Sequence, residues 1–284
     1  MRFPIFSLAT LSACLNASLL TLAGQGIYSE ALAEESNASA AKNNNIDTAT
    51  AARSFIAQKR YDLAIKACDV KIDKYANPQN PWKVLPEDYR LDLLGHALVF
   101  RQMTAADLQH IYVADMHNLK GIALYYQNKY QQAKESFEKA ISLNPYFSQA
   151  LCNLGGVNLK MGKTAQALNC FDRALKYNPR SEDVYRNRAE AYKSMKQFDK
   201  SQKELETYHY WRKLNAKEEI NLGLLSKFEY CEQVLLKRPR TDANLTALGV
   251  INWENLRLKE SEKTFQEAIA VNPKFAEAHS AYGM

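Results

Sequence analysis

His110 and His117 stand seven residues apart, with Asp107 one turn before the first of them. On a helix the three share a face, and imidazoles with a carboxylate at such spacing can hold a metal. His117, however, falls at a position that the repeat pattern below reserves for packing, so a core histidine is the expectation. The acidic pair Glu218-Glu219 lies in ordinary helical sequence. No nucleophile elbow, phosphate-binding glycine loop or zinc-protease box is present, so no nucleophile is spaced with a base. Neither catalysis nor a cofactor is expected. The densest basic run, Lys237-Arg238-Pro239-Arg240, is short, and elsewhere lysines and glutamates alternate around a net charge of +6. That pattern describes solvated helix faces rather than a nucleic-acid surface.

The elements that must position any site are helical. Of 284 residues 46% are apolar, enough for a sizeable core, while 10 glycines and 8 prolines are too few for a turn-rich sheet protein. The N-terminal stretch stands apart. Met1-Arg2 precedes an uncharged apolar run from Phe3 to Ala23, and Ala31-Leu32-Ala33 supplies small residues of the kind signal peptidases accept. Residues 1–33 read as a secretory signal peptide, with Ala23 as a second cut site. Retention of the run as a membrane anchor, or lipidation at Cys14 in Leu11-Ser12-Ala13-Cys14, are the alternatives. Residues 34–46 are polar and read as a flexible linker. The expectation is an exported protein, periplasmic or secreted, or else membrane-anchored, touching membrane only through an uncleaved or lipidated N-terminus.

Beyond the leader the prolines keep time. The interval from Pro145 to Pro179 equals that from Pro239 to Pro273, and three of the four prolines follow asparagine. Segments 114–147, 148–181, 182–215 and 242–275 superimpose at that period. Small residues recur at three fixed places: Gly121, Ala133 and Ala140; Gly155, Ala167 and Ala174; Gly249, Ser261 and Ala268. Only small side chains let two helices, or a helix and the next unit, approach closely there. The proline ends each second helix. The third segment is degenerate: it lacks the proline, and Tyr208 stands at a small-residue place.

A helix-turn-helix unit of about 34 residues, with these residue types at these places, resembles the tetratricopeptide repeat. The resemblance covers 114–275 and is most specific over 114–181. It implies an all-α fold, a right-handed α-solenoid of stacked helix pairs with a concave groove that binds protein or peptide segments. Residues 47–78 look like a further unit, 79–113 an irregular helical one, and 216–241 a compressed one. Thr104-x-x-Asp107 resembles a capping box opening a helix that runs through Tyr126. Residues 276–284 open another unit, so truncation at Met284 is expected.

Family positions on the first helices give the groove. They fall on Asp115, Asn118, Ile122, Tyr125 and Tyr126; then Gln149 and Lys160; then Asp183, Arg186 and Glu190; and Trp253. Asn153 and Asn187 are placed to hydrogen-bond an extended backbone. Some relatives grip a C-terminal carboxylate with lysine, asparagine and arginine. Here only Asn153 fits, because Ile122 and Asp183 replace the needed asparagine and lysine. Of four post-leader cysteines, Cys68 and Cys231 fall at core positions, Cys152 toward the groove and Cys170 toward the outer surface, and free thiols are expected. The resulting expectation is a non-enzymatic interaction scaffold supporting an envelope or secretion complex. A tethered structural subunit, or the repeat arm of a longer enzyme, are the alternatives.

Overall fold

The computed structural model describes residues 48–76, 94–217 and 222–283. The expected leader, the linker and Cys14 lie outside the described residues. Within them the chain is all helical, with no strand. Helices α1 (Thr48–Ala57) and α2 (Tyr61–Ala76) precede α3 (Leu94–Arg101) and the long α4 (Ala105–Tyr126). Then come the pairs α4/α5 (Tyr130–Leu143), α6 (Ser148–Lys160)/α7 (Thr164–Tyr177) and α8 (Glu182–Ser194)/α9 (Phe198–Lys217). Helix α10 (Leu222–Leu235) leads into α11 (Asp242–Glu254), α12 (Leu258–Val271) and α13 (Ala276–Tyr282).

Each pair turns in the same way. One residue after the first helix takes a left-handed backbone: Asn128 (φ 60°), Gly162 (φ 74°), Lys196 (φ 59°) and Leu256 (φ 56°), with Lys59 (φ 60°) in the α1/α2 turn. The following amide reaches back five residues, as in Lys163 N to Asn158 O at 2.8 Å and Arg257 N to Asn252 O at 2.9 Å. That is the glycine-type helix stop, with its wide 6→1 bond. Gly162 meets the geometry at no steric cost, whereas a leucine strains it. Leu256→Gly is therefore expected to raise stability by about 1 kcal/mol, read as a higher urea midpoint; an unchanged or lower midpoint would contradict the strain.

The asparagine before each repeat-ending proline also has a task. Asn144, Asn178 and Asn272 accept, through Oδ1, the amides of Tyr146 (3.1 Å), Arg180 (3.1 Å) and Lys274 (3.2 Å). Each closes a side-chain turn that aims the chain into the next unit. Inside the pairs, Gly121, Gly155 and Gly249 face the rings of Phe137, Phe171 and Phe265. A methyl group on Gly155 would stand 2.3 Å from Phe171 Cε1. Ala133, Ala140, Ala167, Ala174 and Ala268 are fully buried. Where serine replaces alanine it bonds across the pair, Ser261 Oγ to Gly249 O and Ser201 Oγ to Ala189 O, both at 2.9 Å.

Two stacks result. In the first, α1/α2 packs straight against α4, followed in order by α5 to α9. Helix α3 thus stands outside the series of pairs, packed on α11, and α2 meets the very helix that begins the next unit. Thr104 caps α4 with a reciprocal bond to Asp107, and the first half of α4 projects beyond its pair. Leu108 and Ile111 on that projection share a core with Val99 of α3, Phe228 and Leu235 of α10, and Leu248 and Ile251 of α11. Helices α3 and α10, far apart in sequence, so form the base on which α11, α12 and α13 stand.

The first stack stops at α9, where the small residue of the earlier units is replaced. Ala140 and Ala174, both fully buried, admit the next unit's first helix. The equivalent place holds the larger, only partly buried Tyr208, whose hydroxyl accepts from Arg212 one turn on, and with no proline α9 runs on to Lys217. The chain then crosses back. Glu229 of α10 is buried and accepts from Ser148 N (2.8 Å) and Ser148 Oγ (2.5 Å) at the start of α6. Arg238 pairs with Asp107 at 2.8 Å, and Arg180 reaches Asn215 (3.3 Å) and Asn255 O (3.4 Å).

Candidate functional site

The first helices of three successive pairs, α4, α6 and α8, line one open cleft of about 450 Å³. They follow one another at the repeat period, so equivalent side chains lie side by side across it. Ten expected groove residues line this cleft: Ile122, Tyr125, Tyr126, Gln149, Asn153, Lys160, Asp183, Arg186, Asn187 and Glu190. Three others do not. Asp115 is buried and bound to Arg53 of α1 at 2.6 Å, because α1 packs beside α4 and covers that face. Asn118 is buried and accepts a 2.9 Å bond from Asn153 Nδ2, so it serves the cleft by holding Asn153. Trp253 is exposed on α11, in the second stack, away from the cleft lining.

The cleft has distinct regions. At the C-terminal end of α4, Tyr126 is 55% exposed and stacks flat on Tyr61 of α2, with centroids 5.6 Å and planes 13° apart. Tyr125 meets Tyr126 edge-on at 5.7 Å and Tyr130 at 5.5 Å. Burial pushes the Tyr125 hydroxyl above its ordinary pKa, so it stays a neutral hydrogen-bond donor at physiological pH. Beyond the rings, Lys160 lies 3.9 Å from Glu190, and Arg186 lies 2.7 Å from Asp183. Asn187 Nδ2 donates to Cys152 Sγ at 3.4 Å. Burial lifts the Cys152 thiol to about 12, so it is protonated and inert.

Sequence reasoning missed Phe137, Ser148, Asn178 and Ser181, which also line the cleft. They come from a second helix and from repeat junctions, and only first-helix positions signal the groove. Cys170 is a correction: it packs with Leu124, Phe137, Leu154 and Val157 in the core rather than on the outer surface. The buried face of α7 is wider than a lone two-helix unit implies, because Leu124 and Phe137 of the preceding pair share its core. Cys68, Cys152, Cys170 and Cys231 are all free and buried.

Among the described residues no group of three or more histidine, cysteine or acidic side chains is placed to hold a metal. His110 Nδ1 faces Tyr230 Oη at 3.4 Å, and Asp107 is taken by Thr104, Tyr230 and Arg238. Burial, then Lys120 and Lys139, depress the pKa of His117, consistent with a neutral packed imidazole. No described helix is long and apolar enough to cross a membrane.

A family model of the tetratricopeptide repeat matches residues 114–147 and 148–181. Tetratricopeptide repeat protein 6 of Homo sapiens is 29% identical over 96 residues, which is 34% of this chain and 18% of that protein. Hsp70-Hsp90 organizing protein 1 of Glycine max is 26% identical over 175 residues, 59% of this chain and 30% of that protein. The chain thus spans less than a third of the length of these relatives. Among solved structures, YrrB, described as a TPR protein with an unusual peptide-binding site, is 15% identical. That match covers 86% of this chain and 94% of YrrB, with a TM-score of 0.36. With helix pairs closed by one kind of turn, glycines seated on phenylalanine rings and a direct match over two consecutive units, residues 114–181 of this chain are two tetratricopeptide repeats.

Proposed function

We propose that this protein is a non-enzymatic scaffold that binds segments of other proteins in the cleft along α4, α6 and α8. The observation that carries this reading is the convergence of ten side chains from three repeats on one open trough. Ring faces, amides and charges there suit recognition, and no nucleophile is set beside a base. The names of matched relatives, such as the Hsp70-Hsp90 organizing protein, accord with a role among protein partners. The apolar run before Ala23 supports action after export, in the assembly of an envelope or secretion complex. The same run, if retained or lipidated, favours a tethered subunit instead. N-terminal mass determination separates the two: a new terminus near Ala33 supports the free form, and an intact or acylated one the tethered form.

Affinity capture from the native compartment tests the binding reading. Tyr125→Ala combined with Lys160→Ala should reduce recovered partners about tenfold or more, since aromatic anchors dominate such interfaces. Full recovery by a variant with an unchanged circular dichroism spectrum would move binding away from the cleft.

A further inference from the structure

From the cleft's chemistry we infer that its preferred occupant is a neutral, proline-rich segment in the polyproline II conformation. This inference rests on the cleft being the binding site.

The aromatic wall is the first ground. Tyr61, Tyr125, Tyr126 and Tyr130 come from three helices and hold one another through stacked and edge-on contacts at 5.5–5.7 Å. Tyr126 is thereby pinned from behind by Tyr61 while remaining 55% exposed toward solvent. A ring surface already immobilised loses little entropy when something packs on it. Flat tyrosine faces suit pyrrolidine rings, which are themselves stiff and present carbon surface on every side of a polyproline helix.

Charge is the second ground. The cleft holds two cations and two anions, and they sit in pairs, Lys160 with Glu190 and Arg186 with Asp183. An acidic segment would meet Asp183 and Glu190, and a basic one Lys160 and Arg186. A neutral segment disturbs neither pair. The carboxylate-gripping arrangement of some relatives is likewise missing its lysine, since Asp183 occupies that place.

Hydrogen bonding is the third. A polyproline segment has carbonyls and no amide hydrogens, so it needs donors and offers none. The cleft supplies tyrosine hydroxyls and the side-chain amides of Gln149, Asn153 and Asn187. The Asn153 amide is steered by its bond to the buried Asn118.

The test titrates the full processed chain with three probes, followed by amide chemical shifts or calorimetry. They are a proline decamer capped at both ends, a glycine-serine decamer of the same length and capping, and an acidic peptide ending in a free carboxylate. The proline decamer should bind at least about tenfold tighter than either of the others. Tyr126→Ala should weaken it about tenfold, and Tyr126→Phe should retain most of the affinity, because the ring face is kept. Equal binding of the proline and glycine-serine peptides, or indifference to Tyr126→Ala, overturns the inference. Tighter binding of the acidic peptide in the same cleft overturns it too, yet leaves the cleft standing as the binding site. Failure of the cleft itself shows separately, as undiminished partner capture by the Tyr125/Lys160 double variant.

Discussion

Gly155→Leu is expected to lower the unfolding free energy of the protein by about 3 kcal/mol, the upper range for overpacking a core. The ideal Cβ at position 155 lies 2.3, 2.7 and 2.9 Å from Cε1, Cδ1 and Cζ of Phe171. No side chain can begin there without displacing the ring. Phe171 cannot retreat, because it is fully buried and shares its core with Leu151, Ala167, Ala174 and Val184. Either α6 and α7 part, which opens space between two close-packed helices, or the ring leaves its rotamer. The neighbouring Gly156 is the internal control. Its Cβ would meet nothing within 4 Å, so Gly156→Ala should be neutral or gain up to about 1 kcal/mol of helix propensity. Urea unfolding followed by circular dichroism reads both. A Gly155→Leu variant as stable as the parent would show that the pair does not pack through this contact, and the repeat geometry would have to be redrawn.

Stability should also fall as pH rises from about 5 to about 8, and Glu229→Gln should remove that component. Glu229 is wholly buried between α10 and the start of α6, and burial lifts its carboxyl from 4.5 to about 8. The bonds from Ser148 and Asn178 oppose the shift, and the nearby Glu232 adds to it. The folded protein therefore holds a proton that the unfolded chain releases near 4.5. Stability from this group is complete below the unfolded value and is lost as pH climbs through the folded one. Across three pH units this amounts to at most about 4 kcal/mol. Glutamine keeps the geometry: its carbonyl accepts from Ser148 N, and its amide donates to Ser148 Oγ. The variant should thus match the parent near pH 5 and exceed it near pH 8. Parallel pH profiles for the two proteins would mean that Glu229 is not the titrating group at this junction. The junction has wider consequence, since Glu229, Asp107 and Arg180 are polar ties between the two stacks. Loss of the Glu229 tie should loosen α10 before it disturbs the cleft.

The sequence by itself determined the unit. Period, turn and close packing depend on residues within a single repeat: Asn-Pro at its end, glycine opposite phenylalanine, alanine or serine at the crossings. Such contacts are local, so their spacing along the chain carries their geometry. The capping box at Thr104 and the unbroken helix to Tyr126 were legible for the same reason, as was the ring-and-amide lining of the cleft on successive first helices.

Tertiary structure alone decided what those units meet. Nothing near Asp115 in the sequence announces that Arg53 will neutralise it across 62 residues. Nor does anything near Ser148 call for a carboxylate 81 residues later. Trp253 has a groove position in its own unit but belongs to a stack that stands apart from the cleft. Tyr208 did mark the weak third unit, yet where the chain would go once stacking failed depended on an apolar face left open on the first half of α4. Repeat patterns record nearest-neighbour packing, and partners brought together by the return of the chain leave no period to read.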